Sequence, residues 1–282
     1  MPTYLSPGIY TRETDFSFYV KQISTSSAAM VGVAEKGPIN KPVLVTSWEQ
    51  FINRFGSYIN ESYLAYAARA FFDNGGSVLY VTRIAHLTDP TDRDTLTAFK
   101  SSIVLQNRET TPADALRIEA VNEGVWGDRL SVSIEDGSLD PANHFNLVVR
   151  HKGDVVEVFK DLSMDETLPN HVELAINDRS DFILVQDLAT ATGTPGDRPG
   201  LGVFTLSGGD NGLTDLADAD FIGDPSQHTG LYGFDEIDAL NLLMVPGVTT
   251  VPVINAGIAY AEGRKDLLFI ADTPMHLEPL EA

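Results

Sequence analysis

His86, His144, His151, His171, His228 and His276 are the side chains in this 282-residue chain best suited to proton transfer near neutral pH. A nucleophilic site needs one of them beside an acid and an exposed serine. One ordering of such a site reads D-[ST]-G, H-G-T and G-T-S. The chain offers His228-Thr229-Gly230, with the last two residues inverted, and no G-T-S. Its other histidines lie in unrelated contexts, and there is no G-x-S-x-G elbow. No H-x-x-x-H or H-E-x-x-H pair supports zinc.

Other chemistry is equally thin. Asp89, Asp92 and Asp94 invite a calcium reading, but D-x-x-D-x-D lacks the glycine and distant glutamate of an EF-hand loop, and solvated loop acids are the commoner case. Ser207 to Gly212 (SGGDNG) is glycine-rich, yet it has no lysine for a phosphate and reads as a turn. No G-x-x-x-x-G-K-[ST] and no strand-following G-x-G-x-x-G occurs, so neither a P-loop nor a dinucleotide site is expected. Trp126, in the tight turn Gly124 to Gly127, is expected to pack over a sheet edge rather than bind a ligand. No cofactor and no metal follow from these residues.

Charge narrows the partners. The formal charge is −21, against direct nucleic-acid binding and against anionic membranes. No stretch approaches the roughly 18 consecutive apolar residues of a spanning helix. The opening MPTYLSPGIYTRE lacks the basic start and apolar core of a signal peptide. Cysteine is absent, which excludes disulfides and thiolate metal sites. From Pro199 to Gly263 there is no Lys or Arg, while Asp210, Asp215, Asp218, Asp220, Asp224, Asp235, Glu236, Asp238 and Glu262 accumulate. That run reads either as a solvated face with some helix N-caps, Asp235-Glu236 among them, or as a patch facing a basic surface of another subunit.

The elements around these residues have two characters. Leu240 to Val245 is an apolar run without alternation, as in a parallel strand covered on both faces. Pro246-Gly247 stops it, and Thr249 or Thr250 can cap a helix with Pro252 in its first turn. Val251, Ile254, Ile258 and Ala261 form the expected inward stripe, Gly263 the expected helix end, and Leu267 to Ala271 a second buried strand. Residues 26–84 repeat the theme. Strands are expected at Ala28–Ala34, Val43–Val45 and Val78–Ile84, and a helix capped by Ser47 and stopped by Gly56. A second helix is expected over Glu61–Asp73, with Tyr63, Ala67, Ala70 and Phe71 on one face. These two stretches are expected to share one sheet.

Between them, residues 101–207 hold short alternating runs separated by turn signals, including Thr194 to Gly200, which reads as an inserted β-sandwich with a short helix near Pro169 to Asn177. Residues 1–25 read as an arm in which Phe16, Phe18 and Val20 alternate with polar neighbours. It is either a first strand on its own domain or a strand donated to a neighbour's sheet edge.

Four stretches carry a resemblance. GLYGFDEIDALNLLMVPG followed by a helix and DLLFIADTP resembles the core of contractile-tail sheath proteins of myophages and related injection machines. YLSPGIYTRE is similar to that family's opening arm, GVWGDRLSVSI to a turn before a strand in its β-rich insertion, and FTLSGGDNGLTDLADADFIG to the segment leading back to the core. They lie in family order and span nearly the whole chain. The resemblance implies an α/β fold: a subtilisin-like, doubly wound, mostly parallel sheet without catalytic residues, an inserted β-sandwich and an extended N-terminal arm. The expected divisions are 1–25 (arm), 26–100 (first part of the core), 101–207 (insertion) and 208–282 (second part of the core). Tyr4, Pro7, Gly8, Ile9, Tyr10, Phe16, Phe18 and Val20 are the expected assembly residues of the arm.

The implied function is structural: no enzyme, but a subunit in stacked, helically arranged rings. Its implied partners are its own copies, the tail tube protein, and baseplate and tail-terminator proteins, with no nucleic acid and no membrane. The implied place is a virion tail or an extracellular contractile particle, after synthesis in the bacterial cytoplasm. Sheath proteins continue past the segment that ADTPMHLEPLEA resembles, so the resemblance also implies a fragment, a partly represented chain or a divergent short form. Two other readings stand beside it. One is a subtilisin-like hydrolase or ligand-binding α/β protein with its site near Gly247 and Asp272 to Pro274. The other is a carbohydrate-binding module resting on Trp126 and scattered tyrosines.

Overall fold

The computed structural model describes residues 27–188 and 197–274. The arm residues Tyr4, Pro7, Gly8, Ile9, Tyr10, Phe16, Phe18 and Val20, residues 194–196 of the Thr194–Gly200 turn and the end of ADTPMHLEPLEA lie outside the described residues.

The apolar run after the arm forms β1 (Ser27–Gly32), in which every residue is buried. Such a strand must sit inside a sheet covered on both faces. It pairs in parallel with β3 (Val78–Arg83) on one side and with β11 (Leu242–Met244) on the other, Ala28 standing opposite both Leu79 and Leu242. β12 (Leu268–Ile270) continues the parallel set, and β2 (Val43–Val45) closes the opposite edge antiparallel to β3. The order is β12-β11-β1-β3-β2. Residues 27–83 and 242–270 therefore share one sheet, as the sequence implied.

The two-residue period of β1 distributes its side chains between two cores. Ala28 and Met30 meet Phe51 and Phe55 of α1 (Trp48–Phe55) and Leu64 and Ala68 of α2 (Leu64–Asp73). Ala29 and Val31 meet Leu231 and Phe234 of a short 3-10 turn and Val253 and Tyr260 of α5 (Val251–Arg264). Each fully buried Phe or Leu adds about 2 kcal/mol by leaving water. α1 begins and ends as its sequence predicts: Ser47 Oγ accepts from the Gln50 amide, and Gly56 leaves the helix at φ 83°.

The middle of the chain is antiparallel. One sheet, in the order β10-β6-β7-β8, uses β6 (Leu130–Asp136), β7 (Phe145–His151), β8 (Asp154–Leu162) and β10 (Gly202–Thr205). The other, β4-β5-β9, uses β4 (Ser102–Gln106), β5 (Asp114–Ala120) and β9 (Ile183–Asp187). Leu116 and Ile118 of the second join Val132, Ile134 and Leu147 of the first in one core, with Val172 and Ile176 of α3 (Val172–Ile176). The chain enters and leaves this region side by side: Ser102 and Ser207 exchange backbone hydrogen bonds at 2.9 and 3.3 Å, and Phe99 and Asp210 do so at 3.1 and 3.0 Å. α4 (Asp218–Ile222) follows on the way back to β11.

Several expectations are corrected. The buried face of α5 is Val253, Gly257 and Tyr260, whereas Val251 and Ile258 are exposed. α5 ends one residue after Gly263, and Lys265 takes the left-handed cap at φ 63°. β12 is an edge strand whose Leu268 and Ile270 are exposed on one face, because no helix among the described residues reaches across it there. The buried face of α2 is Leu64, Ala65 and Ala68, not the Tyr63 face. Trp126 is buried to 1% inside the antiparallel core rather than over a sheet edge, which also removes the sugar platform of the carbohydrate reading. Asp235 follows the 3-10 turn instead of capping a helix N-terminus.

Candidate functional site

Of the motifs singled out in the sequence, the two glycine-rich turns meet at the junction between the parallel sheet and the antiparallel region, beside Arg83. Arg83 ends β3 with no exposed surface. Its Nη1 donates to the carbonyl oxygens of Gly37 and Glu123, each at 2.8 Å. Its Nε and Nη2 find no hydrogen-bond partner among the described residues. Burial pulls the guanidinium down to about 10, against the opposing pull of the Glu123 carboxylate.

The two glycine-rich motifs are knitted together beside it. Asp128 of the GVWGD turn accepts from the Ser101 hydroxyl at 2.8 Å and from the Gly209 amide at 3.0 Å. Asn211 of SGGDNG accepts from the Val125 amide at 3.1 Å. A Cβ on Gly209 would fall 2.4 Å from the Gly124 carbonyl oxygen, so only glycine permits this approach. SGGDNG is thus a packed turn whose amides bond to the protein itself.

The acidic run is largely spent on local structure. Asp220 is buried and accepts from the amides of Leu87 and Ala217, both at 2.9 Å, with His86 Nδ1 at 3.0 Å. Asp218 accepts from the Thr250 hydroxyl at 2.7 Å, and Asp235 from the Tyr260 hydroxyl at 2.8 Å. Asp224 takes the amides of Ser226 and Gln227. Asp89 is a turn acid: the Thr91 hydroxyl and amide hold its carboxyl below the usual carboxylate range. Among the described residues no group of three or more His, Cys, Asp or Glu could hold a metal ion. No helix among them is long and apolar enough to cross a membrane.

The histidines are distributed, not assembled. His171 Nε2 lies 3.1 Å from Asp187, both buried, and His228 Nδ1 lies 3.9 Å from Asp235 near the surface. At the carboxyl ends of β11 and β12, where the ligand-binding reading put its site, there is a cleft of about 440 Å³. Tyr63, Tyr66, Pro246, Gly247, Thr249 and the 272–274 segment line it, and Asp272 is engaged by the Gly247 amide at 2.6 Å. Among the described residues its lining contains no histidine and no serine. Sequence reasoning missed the Arg83 junction, because nothing in VLYVTRIA distinguishes a buried arginine from one that reaches solvent at a strand end.

Comparison with known proteins places this architecture. Residues 25–84 match the family model of the N-terminal region of domain III of the tail sheath protein Gp18. Among solved structures, the fold resembles a sheath tail protein of Listeria innocua at TM-score 0.59 and 12% identity, covering 89% of this chain and 48% of that one. It also resembles a sheath tail protein of Desulfitobacterium hafniense at TM-score 0.52 and 14% identity, covering 92% of this chain and 50% of that one. The chain thus spans about half the length of each of these two structures. No curated protein matches it. The class is a mixed α/β fold of the sheath tail protein type. The family match and the fold likeness together support the contractile-tail sheath family for this chain.

Proposed function

We propose that the chain is a structural subunit of a contractile tail sheath, without enzymatic activity, in a virion tail or a related extracellular particle made in the bacterial cytoplasm. The observation that carries this is the match over residues 25–84, which contain β1, α1, α2 and β3, the centre of the parallel sheet. In this reading copies of the chain stack in helically arranged rings around a tail tube protein, with baseplate and tail-terminator proteins at the ends. With no nucleotide motif in the chain, the energy of contraction resides in the extended array as less favourable packing between subunits. Contraction moves rigid bodies into a better-packed lattice and drives the tube through a target envelope.

The same reading assigns the parts. Residues 26–100 and 208–282 form the core, of subtilisin-like type, and the side-by-side entry and exit at Ser102 and Ser207 support 101–207 as an inserted domain. Residues 1–25 act as an arm that joins neighbouring subunits through Tyr4, Pro7, Gly8, Ile9, Tyr10, Phe16, Phe18 and Val20. Electron microscopy of the purified particle tests the function: rings or tubes are expected, and isolated monomers would overturn it. Deleting residues 1–25 from the complete sheath tests the arm. Polymerisation should stop while the melting of the core stays nearly unchanged; normal tubes from the deleted protein would refute this role.

A further inference from the structure

We infer that Lys36 is a latch: anchored in the parallel-sheet body, it plugs an aromatic socket of the antiparallel body and sets the angle between the two. This goes beyond the sheath reading and does not depend on it.

The plug is fixed on its own side. The Lys36 amide donates to the Phe55 carbonyl at 3.2 Å, at the end of α1. The neighbouring Glu35 carboxylate accepts from the Ser57 amide at 3.0 Å. Gly37 adopts φ +103°, and a Cβ there would stand 2.8 Å from the Phe55 ring, so the turn has little freedom to shift.

The socket is fixed on the other side. Trp126 is buried in the antiparallel core, and Phe182 packs against that core just before β9. The Lys36 ammonium lies 5.5 Å from the ring centroid of each. His151, on β7, stands 6.3 Å from Trp126 and 6.0 Å from Phe182. Burial lowers the Lys36 pKa, opposed by the carboxylates of Glu35 and Asp181. The ring faces attract the ammonium more strongly once water is removed, while that removal itself costs hydration. Opening the socket returns the hydration and forfeits the ring contacts, so the closed arrangement holds while the ring contacts outweigh the lost hydration.

The surroundings leave room for such a change. Beside Lys36 runs a groove of about 740 Å³, bounded by Leu44, Asn53 and Arg54 of one body and by Asn122, Asp181 and Phe182 of the other. Arg54 and Asp181 span it at 3.8 Å, with both side chains well exposed, which is a weak tie. The stronger ties, Arg129 to Glu35 at 2.9 Å and Arg83 to the Glu123 carbonyl at 2.8 Å, lie at or beside the Lys36 turn and serve as the pivot.

The chain has no cysteine, so two spin labels can be placed without background. Asn74→Cys at the end of α2 and Val158→Cys on the exposed face of β8 report the distance between the bodies in the full chain by double electron–electron resonance. The parent and Lys36→Arg, which keeps the cation, are expected to give one narrow distance. Lys36→Met, which keeps an apolar stem but no charge, and Phe182→Leu, which widens the socket from the other side, are expected to add a second distance. In a Trp48→Phe background, Lys36→Met should also shift the emission of Trp126. Distance distributions for Lys36→Met and Phe182→Leu that superimpose on the parent overturn the latch. Loss of far-UV circular dichroism in Lys36→Met overturns it as well, because Lys36 would then be needed for folding rather than for the angle.

Discussion

Arg83 and Glu123 join the two halves of the molecule through one hydrogen bond, from the Arg83 Nη1 to the Glu123 carbonyl oxygen at 2.8 Å. The donor ends the strand next to β1, and the acceptor lies in the turn before Trp126. The bond couples the parallel sheet to the antiparallel core from a guanidinium with no exposed surface, where a cation is costly unless it is bonded.

Removing that group leaves the buried carbonyl of Gly37 and the half-buried carbonyl of Glu123 without their donor. Arg83→Ala is expected to lower the free energy of unfolding by about 3 kcal/mol. Urea unfolding followed by circular dichroism measures it, and a loss no larger than that of a surface arginine would show that the junction carries little stability.

Asp220 holds two amides and His86 while buried. Asp220→Ala strands the amides of Leu87 and Ala217 and is expected to cost about 2–4 kcal/mol. Asp218→Ala removes a single exposed hydroxyl contact and should cost about 1 kcal/mol or less. Equal effects of the two substitutions in thermal unfolding would contradict this division of the acidic run.

The Tyr260 hydroxyl is pushed up to about 12, first by burial and then by its bond to Asp235, partly offset by Arg264. A raised folded-state pKa contributes stability that is complete below the unfolded value near 10. That stability is lost as pH rises from about 10 to about 12. Tyr260→Phe should flatten this part of the stability-against-pH curve, and an absorbance titration at alkaline pH should show one late tyrosine that the variant lacks.

Leu243 and Leu268 occupy neighbouring strands of the same sheet with opposite exposure, 0% against 55%. Leu243→Ala should cost about 3 kcal/mol, and Leu268→Lys should change stability by about 0.5 kcal/mol or less. A large loss for Leu268→Lys would mean that β12 is covered in solution.

Gly37 requires glycine for its backbone angle and for its approach to the Phe55 ring. Gly37→Ala is expected to cost about 2 kcal/mol, whereas Gly75→Ala, with φ +89° and open space around it, bears backbone strain alone and should cost about 1 kcal/mol. Chemical denaturation of the pair measures the difference.

What the sequence determined by itself is local. An uninterrupted, short apolar run such as Ala28 to Ala34, bounded by turn signals, reads as a strand buried on both faces. Ser47 and Gly56 mark the ends of α1 through backbone geometry that belongs to those residues. The short alternating runs within 101–207 read as the strands of a β-sandwich, and four motifs in order carried the family resemblance. What only the tertiary structure decided is which faces meet. The stripe of α5 shifted to Val253, Gly257 and Tyr260 because the helix lies so close to β12 that a Cβ on Gly257 would sit 2.3 Å from the Phe269 ring. β12 kept one apolar face open because α1 and α2 cover the far side of the sheet, an outcome of strand order rather than of composition. Arg83 became a buried junction, and Lys36 a plug, only when residues some 40 to 150 positions apart were folded together. A side chain's type fixes what it can bond, but its solvation is set by neighbours that sequence distance does not reveal.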